Sequence, residues 1–227
     1  PDLVDINMGC PVKKVVKRGA GSALMQTPEL AAKIVTATKK MLEELNIPLS
    51  VKIRAGWDLQ SVNAVEFSKR MQDAGADIIC VHPRTRSQMF EGKSNWNIIK
   101  DVKEAVEIPV IGNGDIRSLE DSQNMKELTN CDSVMVGRGC FGNPWIFSEL
   151  KGKMQLTSKE KFKYIKKHFE LSVESKGERI AVREMRTHFG YYTKGYRGGA
   201  ETRQFINTCT DSKAILERIR RLIYETN

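Results

Sequence analysis

The stretch "LSVKIRAGWDLQSVNAVEFSKRMQDAGADIICVHPRTR" runs from Leu49 to Arg86 and decides the fold class. It begins with a short apolar run at Leu49–Ile53, continues through a loop into an amphipathic stretch at Val62–Ala74, and ends in a second apolar run at Ile78–Val81. Short runs that are β-branched or apolar on both faces are typical of parallel strands covered by helices. The pattern therefore predicts a strand, a helix and a second, parallel strand.

The same unit recurs through the first 150 residues. Further strands are predicted at Leu3–Ile6, Pro109–Ile111 and Ser133–Val136, and further helices at Pro28–Leu45, Trp96–Val106, Leu119–Leu128 and Pro144–Leu150. Five successive strand–helix units favour an α/β fold, either a (β/α)8 TIM barrel or a doubly wound sheet. We favour the barrel because the candidate functional residues follow the C-terminal ends of strands, which form the active face of a barrel. Since a barrel has eight units, we expect the chain to contain only the last five and three N-terminal units to precede it.

Only helices are predicted after about Thr157. They fall at Lys159–Glu174, Ile180–Thr193, Ala200–Asn207 and Lys213–Tyr224, with a turn at Tyr196–Ala200. The sequence therefore predicts two domains. Residues 1–152 form the C-terminal part of the barrel, and residues 153–227 form a small all-helical domain.

The charge of the chain is concentrated at one end. Residues 1–150 contain 19 Lys+Arg and 19 Asp+Glu, whereas residues 151–227 contain 18 and 9, which accounts for the whole net charge of +9. A basic helical segment on a neutral body favours a polyanionic partner, because Lys and Arg release counterions from a phosphate backbone. The alternative is a solvated helical surface.

Composition excludes several other classes of protein. No apolar run reaches the roughly 18 residues that a membrane span needs, so no membrane association is expected. The five cysteines are scattered and form no CxxC pair; they are Cys10, Cys80, Cys131, Cys140 and Cys209. An odd, dispersed set argues against a disulfide framework or a metal site and for a reducing compartment, with the cytoplasm as the default.

The segment "DINMGCP" (Asp5–Pro11) ends the first strand in a turn that carries Cys10. A cysteine between a glycine and a proline is held on a rigid, non-helical backbone. Its position after a strand makes it a candidate for catalysis at the barrel mouth. The alternative is a small buried hydrophobic side chain.

Two further strands carry candidate residues. Lys52 lies inside a strand between two apolar neighbours, so it either faces the barrel interior and needs an anionic or carbonyl partner or reaches solvent at the strand end. Arg54 has the same parity and lies on the same side. His82 ends the next strand, followed by Arg84 and Arg86. A histidine in that position is a candidate for ligand contact, with a purely structural role as the alternative.

The last two strand-to-loop junctions are rich in glycine. They are "IGNGDI" (Ile111–Ile116) and "VMVGRGCFGNP" (Val134–Pro144). Glycines there allow backbone N–H groups to approach a phosphate, and Arg138 adds charge, at the place where barrels recurrently bind phosphate. Residues 137–142 also match G-x-G-x-x-G. We reject a dinucleotide fold because only helices follow that motif, whereas such a fold needs it in the first unit.

These motifs, in this order, resemble the tRNA-dihydrouridine synthase family, and most closely its bacterial B-type branch. The resemblance rests on "DINMGCPVKKV", "GSALMQ", "VKIRAGW", "VHPRTR", "IGNGDI", "GRGCFGNPWIF" and "REMRTHFGYYTKGYRGGAETR" and covers nearly the whole chain. The sequence departs from the family in having Pro83 where His-Gly-Arg is commoner. It also lacks the Pro-Met-Ala strand and the later Gln segment with which family members begin.

The resemblance implies a role for each matching residue. Cys10 matches the proton donor, Lys52 the lysine at the flavin ring, and His82 a residue near the flavin. The FMN phosphate-binding positions are matched by Asn113, Gly114, Asp115, Gly137 and Arg138. It further implies NADPH as electron donor, FMN bound by the barrel part, tRNA bound by the helical domain, and a full-length protein that is monomeric.

Two rival functions remain open at this point. Another FMN-dependent barrel oxidoreductase, such as a dihydroorotate dehydrogenase, performs related pyrimidine chemistry but does not need the basic helical segment. A non-catalytic tRNA-binding fragment is the second. Absorbance from a bound flavin separates that fragment from the enzymes.

Overall fold

A computed structural model describes residues 1–153 and 156–225 of the chain. It divides into two compact units, Pro1–Gly137 and Arg138–Asn227. The strands are β1 (Val4–Asn7), β2 (Leu49–Arg54), β3 (Ile78–His82), β4 (Val110–Asn113) and β5 (Ser133–Met135). The helices of the first unit are α1 (Lys13–Val16), α2 (Pro28–Glu43), α3 (Ala64–Asp73), α4 (Asn97–Ala105) and α5 (Leu119–Thr129). Those of the second are α6 (Ile146–Glu149), α7 (Ser158–Lys176), α8 (Glu178–Tyr192), α9 (Gly199–Thr208) and α10 (Ser212–Glu225).

The five strands form one sheet in the order β1-β2-β3-β4-β5, and every neighbouring pair is parallel. Each strand follows its neighbour through a helix, as the βαβ pattern of the sequence requires. The predicted α/β class and the parallel sheet are therefore confirmed. The closed barrel of eight units stays a prediction.

The two faces of the sheet differ in chemistry because side chains alternate along each strand. Leu49, Val51 and Ile53 of β2 are fully buried and belong to the core that the sheet shares with its helices. The intervening residues of β2, Ser50 and Lys52, lie on the opposite face. That face is more polar, and the candidate site is built on it.

Local sequence signals explain where the helices of the first unit begin and end. Pro28 occupies the first turn of α2, where its missing N–H costs nothing. The Ser118 side chain caps α5 by accepting a hydrogen bond from the Asp121 N–H, and Asn130 ends it in the left-handed conformation. Pro144, predicted in a first helical turn, instead lies before α6, which begins at Ile146 with Trp145 as its N-cap.

Two short helical segments between β1 and α2 escaped the sequence analysis. They are α1 and a 3₁₀ helix at Gly21–Gln26, both in the connection from β1 to α2. Helix α1 has only four residues and the 3₁₀ helix six, so neither gives a hydrophobic period long enough to recognise.

The second unit consists of helices around its own apolar core. Buried side chains from α7, α8, α9 and α10 meet there, among them Phe169, Phe189, Ile206 and Ile219. Helix α7 begins with a capping box in which the Thr157 hydroxyl accepts from the Glu160 N–H and the Glu160 carboxylate accepts from the Thr157 N–H.

The structural boundary falls after Gly137, whereas the sequence divides the chain after residue 152. The segment that follows Gly137 packs on α8: the Phe141 and Tyr191 rings lie 5.1 Å apart and those of Trp145 and Tyr192 6.3 Å apart. A division by compactness therefore assigns this segment to the helical unit. The functional division at residue 152 stays a prediction.

In residues 1–153 and 156–225, no helix is long and apolar enough to cross a membrane. The same residues contain no cluster of His, Cys, Asp and Glu side chains that could hold a metal ion.

Candidate active site

The candidate site lies where the carboxyl ends of the parallel strands meet. Strand register places Asn7, Lys52 and Cys80 at one level of the sheet, and Arg54 beside His82 at the next. All five side chains share the polar face because they have the same parity along their strands. Several of the predicted residues are therefore neighbours in space.

Lys52 is joined to Asn113 across the intervening strand β3. Its Nζ donates to Asn113 Oδ1 at 3.0 Å, and Asn113 Nδ2 donates to the Met135 carbonyl oxygen at 2.8 Å. Burial lowers the pKa of Lys52 from its usual value, although the nearby Cys80 opposes that shift. A half-buried ammonium group with one neutral acceptor in the described chain can still pair with an anion.

The loop that carries Cys10 is fixed by its own hydrogen bonds. The Asn7 side-chain oxygen accepts from the N–H groups of Gly9, at 3.0 Å, and Cys10, at 2.9 Å. The Ser22 N–H and hydroxyl both donate to the Cys10 carbonyl oxygen at 3.0 Å. The Cys10 backbone is thus held on both sides, and its side chain is partly exposed.

Gly21 explains how the chain can approach Cys10 so closely. It has a φ of +61°, and a Cβ at this position would lie 2.7 Å from the Cys10 carbonyl oxygen. Only glycine satisfies both conditions. The 3₁₀ helix that begins at Gly21 therefore buttresses the cysteine loop.

Arg54 connects the cysteine loop to the loop after β3. It is 3% exposed, its Nε donates to the Gly9 carbonyl oxygen at 2.9 Å, and its Nη1 donates to the carbonyl oxygens of Thr85 and Met89, each at 2.8 Å. The parity argument placed Arg54 on the correct face. The structure shows that its side chain binds backbone carbonyl groups of two loops.

Arg84 is almost completely buried and binds Asp115. Its Nη2 donates to both carboxylate oxygens of Asp115, at 3.0 and 2.8 Å, and its Nη1 to the Ser94 hydroxyl at 2.9 Å. Further bonds run from Arg84 to the carbonyl oxygens of Glu91 and Gly92. This arginine therefore ties the loop after β3 to the loop after β4.

Asp115 is ionised in this arrangement. Burial alone would raise its pKa, but hydrogen bonds from the Ser94 N–H and Arg84, together with the Arg84 charge, hold the pKa below its usual value. A carboxylate repels a phosphate, so only the backbone of Asp115 suits the phosphate-binding role that the resemblance implies. That role stays a prediction.

Gly114 is packed tightly between the two loops. Its φ is +123°, and a Cβ there would lie 2.4 Å from the Ser94 hydroxyl oxygen and 2.9 Å from His82 Cδ2. The Trp96 indole N–H donates to its carbonyl oxygen at 3.0 Å. The structure thus accounts for this glycine by packing and backbone conformation alone.

His82 is buried and uncharged. Burial lowers its pKa to about 3, and the positive charges of Arg54, Lys52 and Arg84 act in the same direction. Its Nε2 lies 3.4 Å from Arg84 Nη1. A neutral imidazole cannot supply positive charge to a ligand near neutral pH. Its place near the flavin stays a prediction.

The two arginines after His82, Arg84 and Arg86, both interact with other side chains of the protein. Arg84 binds Asp115, as described above, and the Arg86 guanidinium stacks on the Trp57 ring at 4.7 Å. Both bind other parts of the protein.

Gly137 contrasts with Gly114. It has no positive φ, and a Cβ there would meet only Asn113 Nδ2, at 3.9 Å, an ordinary contact. Neither backbone conformation nor a protein neighbour in the described chain requires glycine at this position. A glycine here leaves space beside Asn113 that a bound group can fill, which is a third reason for glycine at position 137. Arg138 begins the short 3₁₀ helix Arg138–Cys140 in the second unit.

Sequence reasoning missed the scaffold of the site, above all Asn7. Its signal was present, because an asparagine two and three residues before turn N–H groups is a recognised side-chain-to-backbone cap. The Arg84–Asp115 pair had no such signal, since its partners are 31 residues apart.

The arrangement defines an α/β protein with a polar site at the carboxyl ends of parallel strands, where such folds bind ligands. The family model described as "Dihydrouridine synthase (Dus)" matches residues 1–226. The chain belongs to the dihydrouridine synthase family. The resemblance predicted from the motifs is confirmed, and the family match favours it over a dihydroorotate dehydrogenase.

Individual relatives agree with the family match. The chain is 37% identical to a "Probable tRNA-dihydrouridine synthase" of Rickettsia conorii, covering 99% of this chain and 70% of that protein. It is 40% identical to a protein of the same description from Rickettsia bellii, covering 96% and 68%. It is 38% identical to "tRNA-dihydrouridine synthase B" of Pasteurella multocida, covering 93% and 65%. The chain thus spans about two thirds of the length of these relatives.

Proposed function

We propose that the protein is an FMN-dependent tRNA-dihydrouridine synthase, which reduces the C5=C6 bond of a uridine in tRNA with NADPH as electron donor. The observation that carries the proposal is the Lys52–Asn113 pair on the polar face of the sheet. The family and the names of the relatives support it. With it we propose that residues 1–152 supply the last five units of an FMN-binding barrel and residues 153–227 a helical tRNA-binding domain.

The residues of the first unit fit a flavin mononucleotide. Lys52 would help to hold the flavin, because its half-buried positive charge suits a conjugated, electron-accepting ring, and its hydrogen bond to Asn113 orients that charge. Gly137 leaves space beside Asn113 for a phosphate. We propose that the loop around Gly114 and Asp115 contributes backbone groups to the same phosphate and that Arg138 adds charge.

The chemistry divides between the cofactor and the chain. Bound FMN, reduced by NADPH, would supply the hydride that adds to uracil C6. Negative charge then builds toward C5 and O4, and the Cys10 thiol delivers a proton to C5. A thiol is mostly protonated at neutral pH and exchanges its proton readily, which suits a general acid. The hydrogen bonds from Asn7 and Ser22 to the Cys10 loop would keep this acid in place.

Cys80 is a thiol on the polar face of the sheet, and it is a poor candidate for the proton donor. It is buried, and burial raises its pKa to about 11, although Lys52 lowers it in part. A thiol with so high a pKa releases its proton too slowly for a general acid near neutral pH. Cys10, by contrast, is partly exposed, so a substrate can reach its thiol, and this supports Cys10 as the donor.

The substrate base is stacked within folded RNA, so it has to leave the stack to reach the strand ends. The basic second half of the chain, with 18 Lys+Arg against 9 Asp+Glu in residues 151–227, suits contact with the RNA backbone. The free cysteines support a reducing compartment, and we propose the cytoplasm.

The test is direct. The flavin-loaded protein is incubated with NADPH and an unmodified tRNA transcript, and dihydrouridine is measured by mass spectrometry of the nucleosides. We expect dihydrouridine to form in proportion to the NADPH consumed. Binding of the transcript without dihydrouridine would leave a tRNA-binding protein and refute the enzymatic proposal.

Gly137→Ala tests the phosphate space. The new Cβ meets no close protein neighbour, so the melting temperature should not change, whereas FMN affinity should fall about tenfold or more because hydrogen bonds to a charged phosphate are lost. Equilibrium titration with FMN measures the effect. Gly190→Ala is a matched control, since its Cβ would also have one neighbour at 3.9 Å. Equal FMN affinity in both variants would contradict the predicted site.

A further inference from the structure

A further candidate ligand contact lies at Arg86, in the loop that follows β3. Its guanidinium stacks on the Trp57 ring at 4.7 Å. An arginine side chain carries five N–H donors, and none of those of Arg86 has a hydrogen-bond acceptor in the described part of the chain. Arg86 Nε is closed off from solvent, but the residue as a whole is partly exposed. The terminal nitrogens Nη1 and Nη2 are therefore the groups that a ligand can reach.

The stability of the fold does not account for this arginine. A buried N–H without an acceptor is destabilising, so the position of Arg86 Nε is unfavourable for folding. Across residues 1–153 and 156–225 no carboxylate forms an ion pair with Arg86. The carboxylate of Asp58, in the loop after β2, accepts hydrogen bonds within its own loop. A guanidinium kept under these conditions indicates an anionic partner outside the chain.

The stack of Arg86 on Trp57 is held in place by the backbone of both loops. The Arg86 N–H donates to the Gly56 carbonyl oxygen at 2.9 Å, and the Ser87 N–H donates to the Trp57 carbonyl oxygen at 2.9 Å. Contact with the indole ring also restricts the side chain of Arg86. Because the guanidinium is ordered before a ligand arrives, binding costs little side-chain entropy.

Arg86 lies close in the structure to the proposed proton donor, Cys10. The buried side chain of Arg54 donates from Nε to the carbonyl oxygen of Gly9, the residue before Cys10, at 2.9 Å. From Nη1 it donates to the carbonyl oxygen of Thr85, the residue before Arg86, at 2.8 Å. One side chain thus spans the distance between the two loops. A nucleotide whose base reaches Cys10 therefore brings its backbone toward Arg86.

The segment between β1 and α2, which contains Cys10, shows which kind of anion fits. Residues 6–28 include no Asp or Glu. They include four exposed cations that form no ion pair in the part of the chain that the structure describes, namely Lys13, Lys14, Lys17 and Arg18. Repeated positive charges favour a polyanion over a small anion, because each neutralised phosphate of a nucleic acid releases counterions.

We propose that Arg86 binds a phosphate of the RNA backbone beside the uridine that is reduced. The fork of a guanidinium matches two phosphate oxygens, and such a contact fixes the register of the RNA without reading its sequence. The inference rests on the proposed function and adds to it an RNA contact of the first unit, separate from the helical domain. NADPH also carries phosphate groups, and the experiment separates the two sources.

The experiment uses the flavin-loaded protein and two variants, Arg86→Gln, which removes the charge, and Arg86→Lys, which keeps it. The control is Lys33→Gln, at an exposed position of α2 with no ion pair in the described residues. Affinity for an unmodified tRNA transcript is measured over a range of salt concentrations. Flavin reduction is measured over a range of NADPH concentrations.

Arg86→Gln should weaken tRNA binding about tenfold, and its salt slope should fall by about one. Arg86→Lys should keep the wild-type slope, because a lysine also neutralises a phosphate. The melting temperature of Arg86→Gln should fall by less than about 4 °C, since only a cation–π contact is lost within the protein. The NADPH concentration for half-maximal flavin reduction should be the same in Arg86→Gln and Lys33→Gln.

A second measurement places the phosphate. The two phosphates that flank the reduced uridine are replaced, one at a time, by a neutral methylphosphonate. At one of them the replacement should weaken binding to the wild type about tenfold but leave binding to Arg86→Gln unchanged, because both changes remove the same contact. Losses that add at both positions would show that Arg86 does not contact either phosphate.

Unchanged tRNA affinity in Arg86→Gln would overturn the proposal, whether or not the protein reduces uridine. Weaker binding with the wild-type salt slope would also overturn it, because Arg86 would then support its loop without contacting a phosphate. If Arg86→Gln needs more NADPH while its tRNA affinity is unchanged, the phosphate belongs to NADPH and the RNA assignment is wrong. If affinity and slope both fall but the wild type forms no dihydrouridine, the proposed enzymatic function fails and the RNA contact stands.

Discussion

Cys10→Ala should slow uridine reduction by roughly 10²–10⁴-fold, the usual contribution of a positioned general acid. The variant should still bind FMN and tRNA, because the contacts of Cys10 with the rest of the loop are made by its backbone N–H and carbonyl oxygen. The rate of flavin reduction by NADPH should also be unchanged, since no proton transfer to uracil is involved. Single-turnover kinetics on a tRNA transcript separate the two half-reactions.

The control for this variant is Cys209→Ala. Cys209 is also a free, partly buried cysteine, but it lies in the helical unit, where its thiol contacts the Asp211 carbonyl oxygen at 3.6 Å. The Cys209→Ala variant should reduce uridine in tRNA at the wild-type rate. A Cys10→Ala protein with wild-type turnover would refute the proton-donor role, and a fall in FMN affinity instead would mean that Cys10 serves the cofactor.

The sequence predicted the sheet well because strand formation depends on local patterns. Runs such as Leu49–Ile53 and Ile78–Val81 are rich in apolar residues, and the strands observed there, Leu49–Arg54 and Ile78–His82, extend each run by one residue. In both cases the added residue is polar and belongs to the candidate site. A hydrophobic pattern ends where the site begins, so it cannot mark the last residue of the strand.

The candidate site was predictable only in part, because local patterns do not reveal partners that are distant in sequence. Strand-end position made Lys52 and Asn113 candidates separately, but their hydrogen bond of 3.0 Å was not predicted. The burial of Arg84 was not predictable. A charged residue in a polar loop is expected to face solvent unless a partner of opposite charge lies nearby. The partner of Arg84 is Asp115, which follows a different strand.

Asp115→Asn should lower the free energy of unfolding by about 3 kcal/mol, at the lower end of the roughly 3–5 kcal/mol lost when a buried charge loses its partner. Arg84 is 2% exposed and would keep its charge, while the new side-chain amide could still accept one hydrogen bond from it. The substitution adds no backbone strain, because position 115 has a φ of +60° and asparagine tolerates that conformation. Urea denaturation measures the effect.

The matched control is Glu29→Gln, which breaks the Arg70–Glu29 ion pair at 2.8 Å, with side chains 47% and 69% exposed. Such an exposed pair contributes less than about 1 kcal/mol. If Asp115→Asn were as mild as Glu29→Gln, Arg84 would be adequately held by its carbonyl and hydroxyl acceptors, and the ion pair would not be what joins the two loops.

The pH dependence of the same variant gives a separate check. The pKa of Asp115 is lower in the folded protein than in the unfolded chain, so the ion pair stabilises the fold above the unfolded value of about 3.9, and that stabilisation is lost as the pH falls through the folded pKa. The difference in unfolding free energy between wild type and Asp115→Asn should therefore be constant from neutral pH down to about pH 5 and shrink as the medium becomes more acidic. A difference that persisted unchanged to the acid limit of folding would show that the asparagine acts through packing and that the charge of Asp115 is irrelevant to stability.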